Sequence, residues 1–307
     1  MEYLKQEPLI RFAFFAGILA LTALGEFLAP RRRLVVKKPW RWASNLGLVA
    51  LNSVLVRVLF PISAVGIAWT SEENGWGLFN NMAAPHWLAV GLSVVLLDLA
   101  IYLQHVMFHA VPILWRLHMV HHADLDFDVT TGVRFHTIEI LLSMVIKLAV
   151  VVLLGAPALA VLIFEVALNA TAMFNHANLR LPGWLDTTLR LFVVTPDMHR
   201  VHHSALAVET NSNFGFNFPW WDFLFGTYRP QPEAGHEGMT IGLSQFRDHF
   251  VDRLPWMLAL PFLGSLGNYS LNRRQDGAER RDSETPNKSN STISAHHKKE
   301  NEQHVCR

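Results

Sequence analysis

The chain has almost no sulfur to offer a metal or a disulfide. Its single cysteine, Cys306, stands next to last of 307 residues, which excludes a disulfide framework and a thiolate metal site. Charge is scarce too: Asp, Glu, Lys and Arg make up 17% of the residues against 51% hydrophobic, well below the usual quarter. Long uncharged runs on top of that shortfall predict a membrane protein rather than one or two soluble domains. A net charge of +1 leaves no basic face for nucleic acid. A cleavage site is missing as well. The apolar run from Phe12 to Gly25 leads into Glu26 and then "PRRRLVVKKPWRW", with no small-residue signal for removal, and reads as a retained anchor.

A spanning helix takes roughly 20 mostly apolar residues. The expected spans are 10–29, 44–69, 84–104, 138–154 and 157–174. The last two are short and only "GAP" at 155–157 divides them, which predicts a tight helical hairpin. The expected fold is therefore an all-α integral membrane protein of four to five transmembrane helices in hairpins, with a helical cap. Four regions are expected: an anchor and basic loop over 1–43, a membrane and catalytic region over 44–235, an interfacial or re-entrant segment over 236–270, and a disordered polar tail over 271–307. The third contains "LPWMLALPFLGSLG" from Leu254, which has two prolines and is too short to span. The tail is polar and lacks aromatic residues, so its His296 and His297 are expected to stand apart from any site.

Basic residues set the orientation. Arg31, Arg32, Arg33, Lys37, Lys38 and Arg41 follow the first span and are expected in the cytoplasm, whereas "TSEENGWGLFNNMAAP" has two Glu and no Lys or Arg. Alternating from there puts His105, His109, His118, His121, His122 and His136 in one cytoplasmic loop. His176, His199, His202 and His203 follow the fifth span on the same side. Ten of sixteen histidines converge on one face, although nothing in the charge argument used histidine.

Their spacing carries chemistry. Residues three and four apart share a helix face, so "HVMFH", "HMVHH" and "HRVHH" each present two or three imidazoles to a common point. "TPDMHRVHH" adds a helix start, with Thr195 as N-cap and Pro196 in the first turn. A single interfacial histidine is most often just a hydrogen-bonded surface group, but two HxxHH blocks and an HxxxH on one face predict metal. Imidazole without sulfur suits Zn, Fe, Cu or Ni rather than Ca or Mg. Eight histidines exceed the three or four protein ligands of one zinc, so two ions are expected.

These three motifs in this order between membrane hairpins resemble the fatty acid hydroxylase / sterol desaturase superfamily of integral-membrane di-iron oxygenases. The similarity runs over about residues 85–230 and includes "TGVRFHTIE", "FNHANLRLPGWLD" and "NFGFNFPWWDFLFGTY". It implies that His105, His109, His118, His121, His122, His199, His202 and His203 are iron ligands, with His176 in "NHAN" and His136 as further ones. The family usually has RFHP where this chain has "RFHT", with Thr137 in place of the proline. The resemblance further implies two iron ions, with zinc able to substitute in purified protein. O2 would be the co-substrate, and a C–H bond of a fatty acyl, sterol-like, hopanoid or related lipid would be hydroxylated or desaturated. Two electrons per turnover must come from a separate donor, cytochrome b5-like or a ferredoxin with its reductase, because the chain has no CxxCH, cluster-cysteine or dinucleotide motif. The localisation expected is a bacterial inner membrane or the endoplasmic reticulum, with the histidines on the cytoplasmic face. The rival class is a histidine-rich metal transporter or haem carrier, whose sites sit nearer mid-membrane; a retired enzyme with structural zinc is a third.

Metal-bound imidazoles usually hand their second N–H to a carboxylate or carbonyl. Asp124, Asp126, Asp128, Glu139 and Asp197 are the sequence-near candidates, although the three aspartates after His122 also read as a solvated loop. Asp98 and Tyr102 lie on one stripe with His105 and His109; Glu165 and Asn169 lie on another with His176. Such intramembrane groups either line a channel or pair, with Arg57 or Lys147, to hold the bundle; pairing is the favoured reading. The basic loop is expected to set topology and touch anionic lipid, with docking of an acidic electron donor as the alternative.

Overall fold

In the computed structural model, residues 6–263 and 265–271 are described. The tail from Asn272, with His296 and His297, lies outside them. Among the described residues the fold is all-helical. Five stretches are long and apolar enough to cross a membrane. They are α1 Glu7–Leu28, α2 Lys38–Leu59 continued by α3 Ala64–Glu73, α4 His86–Ala110, α6 Thr137–Leu154 and α7 Ala158–Asn175. The expected second span at 44–69 is thus two helices. Pro61 removes a backbone donor and clashes with the preceding turn, so the chain breaks over 60–63, and Ser63 caps the new helix by accepting from Gly66 N at 3.2 Å.

The hairpin between α6 and α7 forms as the "GAP" signal predicts. Gly155 closes α6 in the left-handed region at φ +60°, the usual way a helix satisfies its last carbonyls. Its neighbour in space is the loop before α4: Leu78 N donates to Leu153 O at 3.0 Å, and a Cβ on Gly155 would lie 2.5 Å from Trp76 O. Behind this contact, Ala64, Ala68, Leu97, Val151, Ala156, Val161 and Phe164 of α3, α4, α6 and α7 form the membrane core.

α1 is the outermost helix. Leu9, Phe12, Leu21, Phe27 and Leu28 are each more than half exposed, a burden only lipid relieves. Two carboxylates fasten it. Glu26 accepts from Val129 N at 2.7 Å and Asn178 N at 2.9 Å, and Glu165 pairs with Arg11 at 2.9 Å and with Lys147. Arg57 takes no part in that cluster. Asn169 Nδ2 donates back to Glu165 O within α7.

The cap gathers at the ends of α4 and α7 and the start of α6. It contains α5 Pro112–His122, α8 Gly183–Leu189, α9 Pro196–His202, α10 Ala207–Thr210, α11 Trp220–Phe225, α12 Gly235–Gly238 and α13 Leu254–Ala259. Thr195 caps α9 as expected, accepting from Met198 N. The segment after Leu254 packs on α5, burying Met257, Leu260 and Tyr269 against Trp115 and Met119. Segment 216–227 runs beside α4. Asp98 of α4 accepts from Trp221 Nε1 at 2.8 Å and from the amides of Asn217 and Phe218. Tyr102, one turn on, bonds Thr227 Oγ1 and stacks on Phe225.

Replacing Gly155 by alanine forces a left-handed alanine into contact with Trp76 O. The conformation alone costs about 1–2 kcal/mol. A drop in the thermal unfolding midpoint of the detergent-solubilised protein checks this; an unchanged midpoint contradicts it.

Candidate metal centre

Nine histidines meet in two groups: His105, His109, His118, His122 and His202 in the first, His121, His176, His199 and His203 in the second. Within each group the ligand atoms lie within 4.8 Å of one another, and every residue is buried. The adjacent pairs divide. His121 and His122 of α5 serve different groups, and so do His202 and His203 at the end of α9, because neighbours on a helix point about 100° apart. α4 supplies the first group alone and α7 the second.

The inner nitrogens are fixed from behind. His105 Nδ1 donates to Phe214 O at 2.7 Å, His202 Nδ1 to Ser212 O at 2.7 Å and His109 Nδ1 to Asn211 Oδ1 at 3.0 Å. His118 Nδ1 donates to Glu139 Oε1 at 2.6 Å. In the second group His176 Nδ1 donates to Ala172 O at 2.7 Å and His121 Nδ1 to Arg134 O at 3.2 Å. A neutral imidazole whose Nδ1 carries the proton has a bare lone pair on Nε2. Yet His105 Nε2 lies 3.1 Å from His118 Nε2 and 3.0 Å from His202 Nε2. His176 Nε2 lies 3.1 Å from each of His121, His199 and His203 Nε2.

Lone pairs so close repel unless a cation sits among them. Nitrogens at right angles around an ion with bonds of 2.0–2.1 Å would be about 3 Å apart. Protonation does not relieve the crowding, because burial disfavours the charged form. It lowers His118 and His176 to about 3 and carries His121, His122, His199, His202 and His203 well below the ordinary range. His109 Nε2 and His122 Nε2 are buried with no hydrogen-bond partner. The donor set fits a nitrogen-ligated metal.

His136 stands apart from both groups. Its Nε2 donates to Leu258 O at 3.3 Å and its Nδ1 accepts from Ile138 N at 3.2 Å as the N-cap of α6, which occupies both nitrogens. The missing RFHP proline is replaced by a polar clasp: Thr137 Oγ1 donates to Asn52 Oδ1 at 2.6 Å, and Asn52 Nδ2 to Phe135 O at 2.9 Å.

Of the carboxylates proposed to support the histidines, Glu139 touches one. The three aspartates after His122 are buried, not a solvated loop. Asp124 and Asp128 each accept from the fully buried Arg41 at 2.6 Å, and Asp126 accepts from Val35 N and Val36 N. They bind the entry to α2 onto the cap. The basic loop is therefore largely spent inside the protein. Arg31 pairs with Asp197 and Glu237, and Arg32 donates to Met239 O at 2.9 Å. Asp197 also binds Arg200, whose guanidinium covers Phe127. Sequence patterns gave no sign of Arg41, Asn211 or Asp222. The last accepts from Phe214 N at 2.8 Å and Gly215 N at 2.9 Å and so aims the Phe214 carbonyl at His105; its sequence neighbourhood only resembles a run of aromatics.

Arg41→Ala leaves the buried Asp128 without its cation and Asp124 with only the more distant Arg134 at 3.7 Å, which costs on the order of 3–5 kcal/mol. Little folded protein should be recovered on purification, and wild-type yield and melting would contradict the assignment. Glu139→Ala frees the His118 ring and should weaken metal binding in the first group by about 10–100-fold, read by metal analysis after graded chelation.

The family profile described as "Fatty acid hydroxylase" matches residues 90–227, which contain all nine histidines. The chain is 34% identical to ornithine lipid hydroxylase OlsE of Rhizobium tropici over 239 residues, 74% of this chain and 70% of that protein. It is 26% identical to the alkylglycerol monooxygenases of Xenopus tropicalis and Homo sapiens, over 67% and 64% of this chain. It spans only 47% and 44% of their length. No solved structure matches. Five apolar helices and a convergent set of histidines within the matched region place this multi-pass membrane protein in the fatty acid hydroxylase family.

Proposed function

We propose that this protein is a membrane lipid hydroxylase that holds two iron ions, one in each histidine group, and uses O2 with two electrons from a separate donor. The observation that carries the reading is the convergence of neutral imidazole lone pairs at 3.0–3.1 Å in both groups. When bound, the irons supply oxygen activation and attack on an unactivated C–H bond. The chain's own residues hold the geometry. Carbonyl oxygens and Glu139 fix six of the nine rings, and Trp115, Phe127 and Phe214 wall the site against water, as oxygen chemistry on a reactive metal demands.

The relatives are named for ornithine lipid and alkylglycerol, which favours a polar lipid bearing long chains as substrate over a soluble metabolite. A cytoplasmic placement is supported by Arg31, Arg32, Arg33, Lys37 and Arg41, which lie at the same end of the helices as the histidines. Arg33 and Lys37 stay exposed there, suited to anionic headgroups or to an acidic cytochrome b5-like or ferredoxin donor.

Lipid analysis of cells with and without the gene, grown under 18O2, tests the reading: one lipid should carry a single 18O only when the gene is present. Formation of a double bond without label would assign desaturation instead, and stable haem absorbance in the purified protein would overturn it. His121→Ala and His202→Ala, one from each group, should each abolish turnover while the protein still inserts; full turnover in either refutes the ligand assignment. Acid should also release the metal. The folded site depresses its imidazoles, so the unfolded chain binds more protons as pH falls below ~6.5, and stability is lost in that direction. Metal content and melting midpoint measured from pH 8 to pH 5 should fall together.

A further inference from the structure

Six aromatic rings other than imidazole touch the histidine groups. Phe108, Trp115, Phe127 and Phe214 are at most 1% exposed. The remaining two differ. Phe135 is part-exposed and Phe216 is 9% exposed. Phe135 stacks on His121 with centroids 4.3 Å apart and planes 12° apart, and lies 6.2 Å from His118. Phe216 lies 5.3 Å from His105 and 6.0 Å from His199. Each ring therefore touches both groups, and the two centroids lie 6.4 Å apart with their planes tilted by 38°.

Both also stand on the side of the spanning helices. Phe135 immediately precedes the start of α6, and its carbonyl is held by Asn52 of α2. Phe216 opens the segment that Asp98 draws along α4, and its carbonyl accepts from Asn175 Nδ2 of α7 at 3.0 Å. Elsewhere the aromatic shell is closed. We infer that Phe135 and Phe216 form the passage from the bilayer to the two histidine groups, and that they admit one unbranched hydrocarbon chain and set which of its carbons is presented. This rests on the function proposed above and adds the two residues that select and position the chain.

The dimensions support a chain. Carbon surfaces in contact stand about 3.5–4.0 Å apart, so a single file of methylenes between two rings needs about 7–8 Å. Starting from 6.4 Å, a swing of roughly 1 Å suffices, and the part-exposed Phe135 has room for it. A fused polycycle is broader than one methylene file and carries groups out of its plane, so it would require the rings to part much further. Such parting would cost the stacking of Phe135 on His121, which holds a ring of the second group.

The test needs a readout independent of turnover. Purified wild-type protein in phosphatidylglycerol vesicles is irradiated with a palmitic acid that carries a mid-chain diazirine, and the labelled peptides are mapped. Label is expected on the peptides containing Phe135 and Phe216, displaced by excess unlabelled palmitate and not by cholesterol. Phe135→Trp and Phe216→Trp, which narrow the gap, should lower that labelling at least fivefold with metal content unchanged. Phe216→Ala should spread the 18O over more chain positions than the wild type does. Label confined to other segments, or cholesterol competing as well as palmitate, overturns the passage. Oxygenation of lipid without such labelling would leave the function standing and the passage refuted; labelling without any oxygenated lipid would do the reverse.

Discussion

Everything in the cap serves one electrostatic constraint: nine uncharged rings are made to turn their bare nitrogens toward two points. An imidazole left to itself would rotate until its lone pair found a donor. In six of the nine this is prevented from behind, because Nδ1 is tied to Phe214 O, Ser212 O, Ala172 O, Arg134 O, Asn211 and Glu139. Four of these anchors are main-chain carbonyls. Ring orientation is thus written into the backbone path of the cap, and the backbone path must itself be held rigid.

That rigidity comes from a second layer of buried charge. Arg134, whose carbonyl holds His121, has its own guanidinium on Val120 O and Val251 O. Arg41 joins Asp124 and Asp128, and Asp222 gathers the amides on either side of the Phe214 peptide. Such groups are costly to bury singly and tolerable only when fully partnered. Their presence explains why a chain with few charges spends several of them in its interior rather than at its surface.

Much of this was legible in sequence. The five apolar stretches, the "GAP" hairpin, the Thr195 cap and the convergence of His105 through His203 all follow from periodicity and spacing, which are local properties. Pairings between distant segments were less visible. The break at Pro61 is a local signal that an uninterrupted apolar run concealed. Arg41 reads as one more basic residue in a topological signal, and only the folded chain brings it to Asp124. His136 looks like a ligand by company, whereas its Nδ1 caps α6 and its Nε2 donates to Leu258 O. Segment 216–227 lies along α4 because Asp98 supplies three acceptor bonds that hydropathy does not register.

The division of neighbouring histidines between the two groups has a consequence for assembly. α5 and α9 each reach into both groups, so the two groups share two of the elements that build them. An ion captured by His118, His122 and His202 immobilises the same two helices that carry His121, His199 and His203. The ordering entropy of the second centre is then largely spent before its own ion arrives. If each group holds an ion, as proposed, filling the first would favour filling the second.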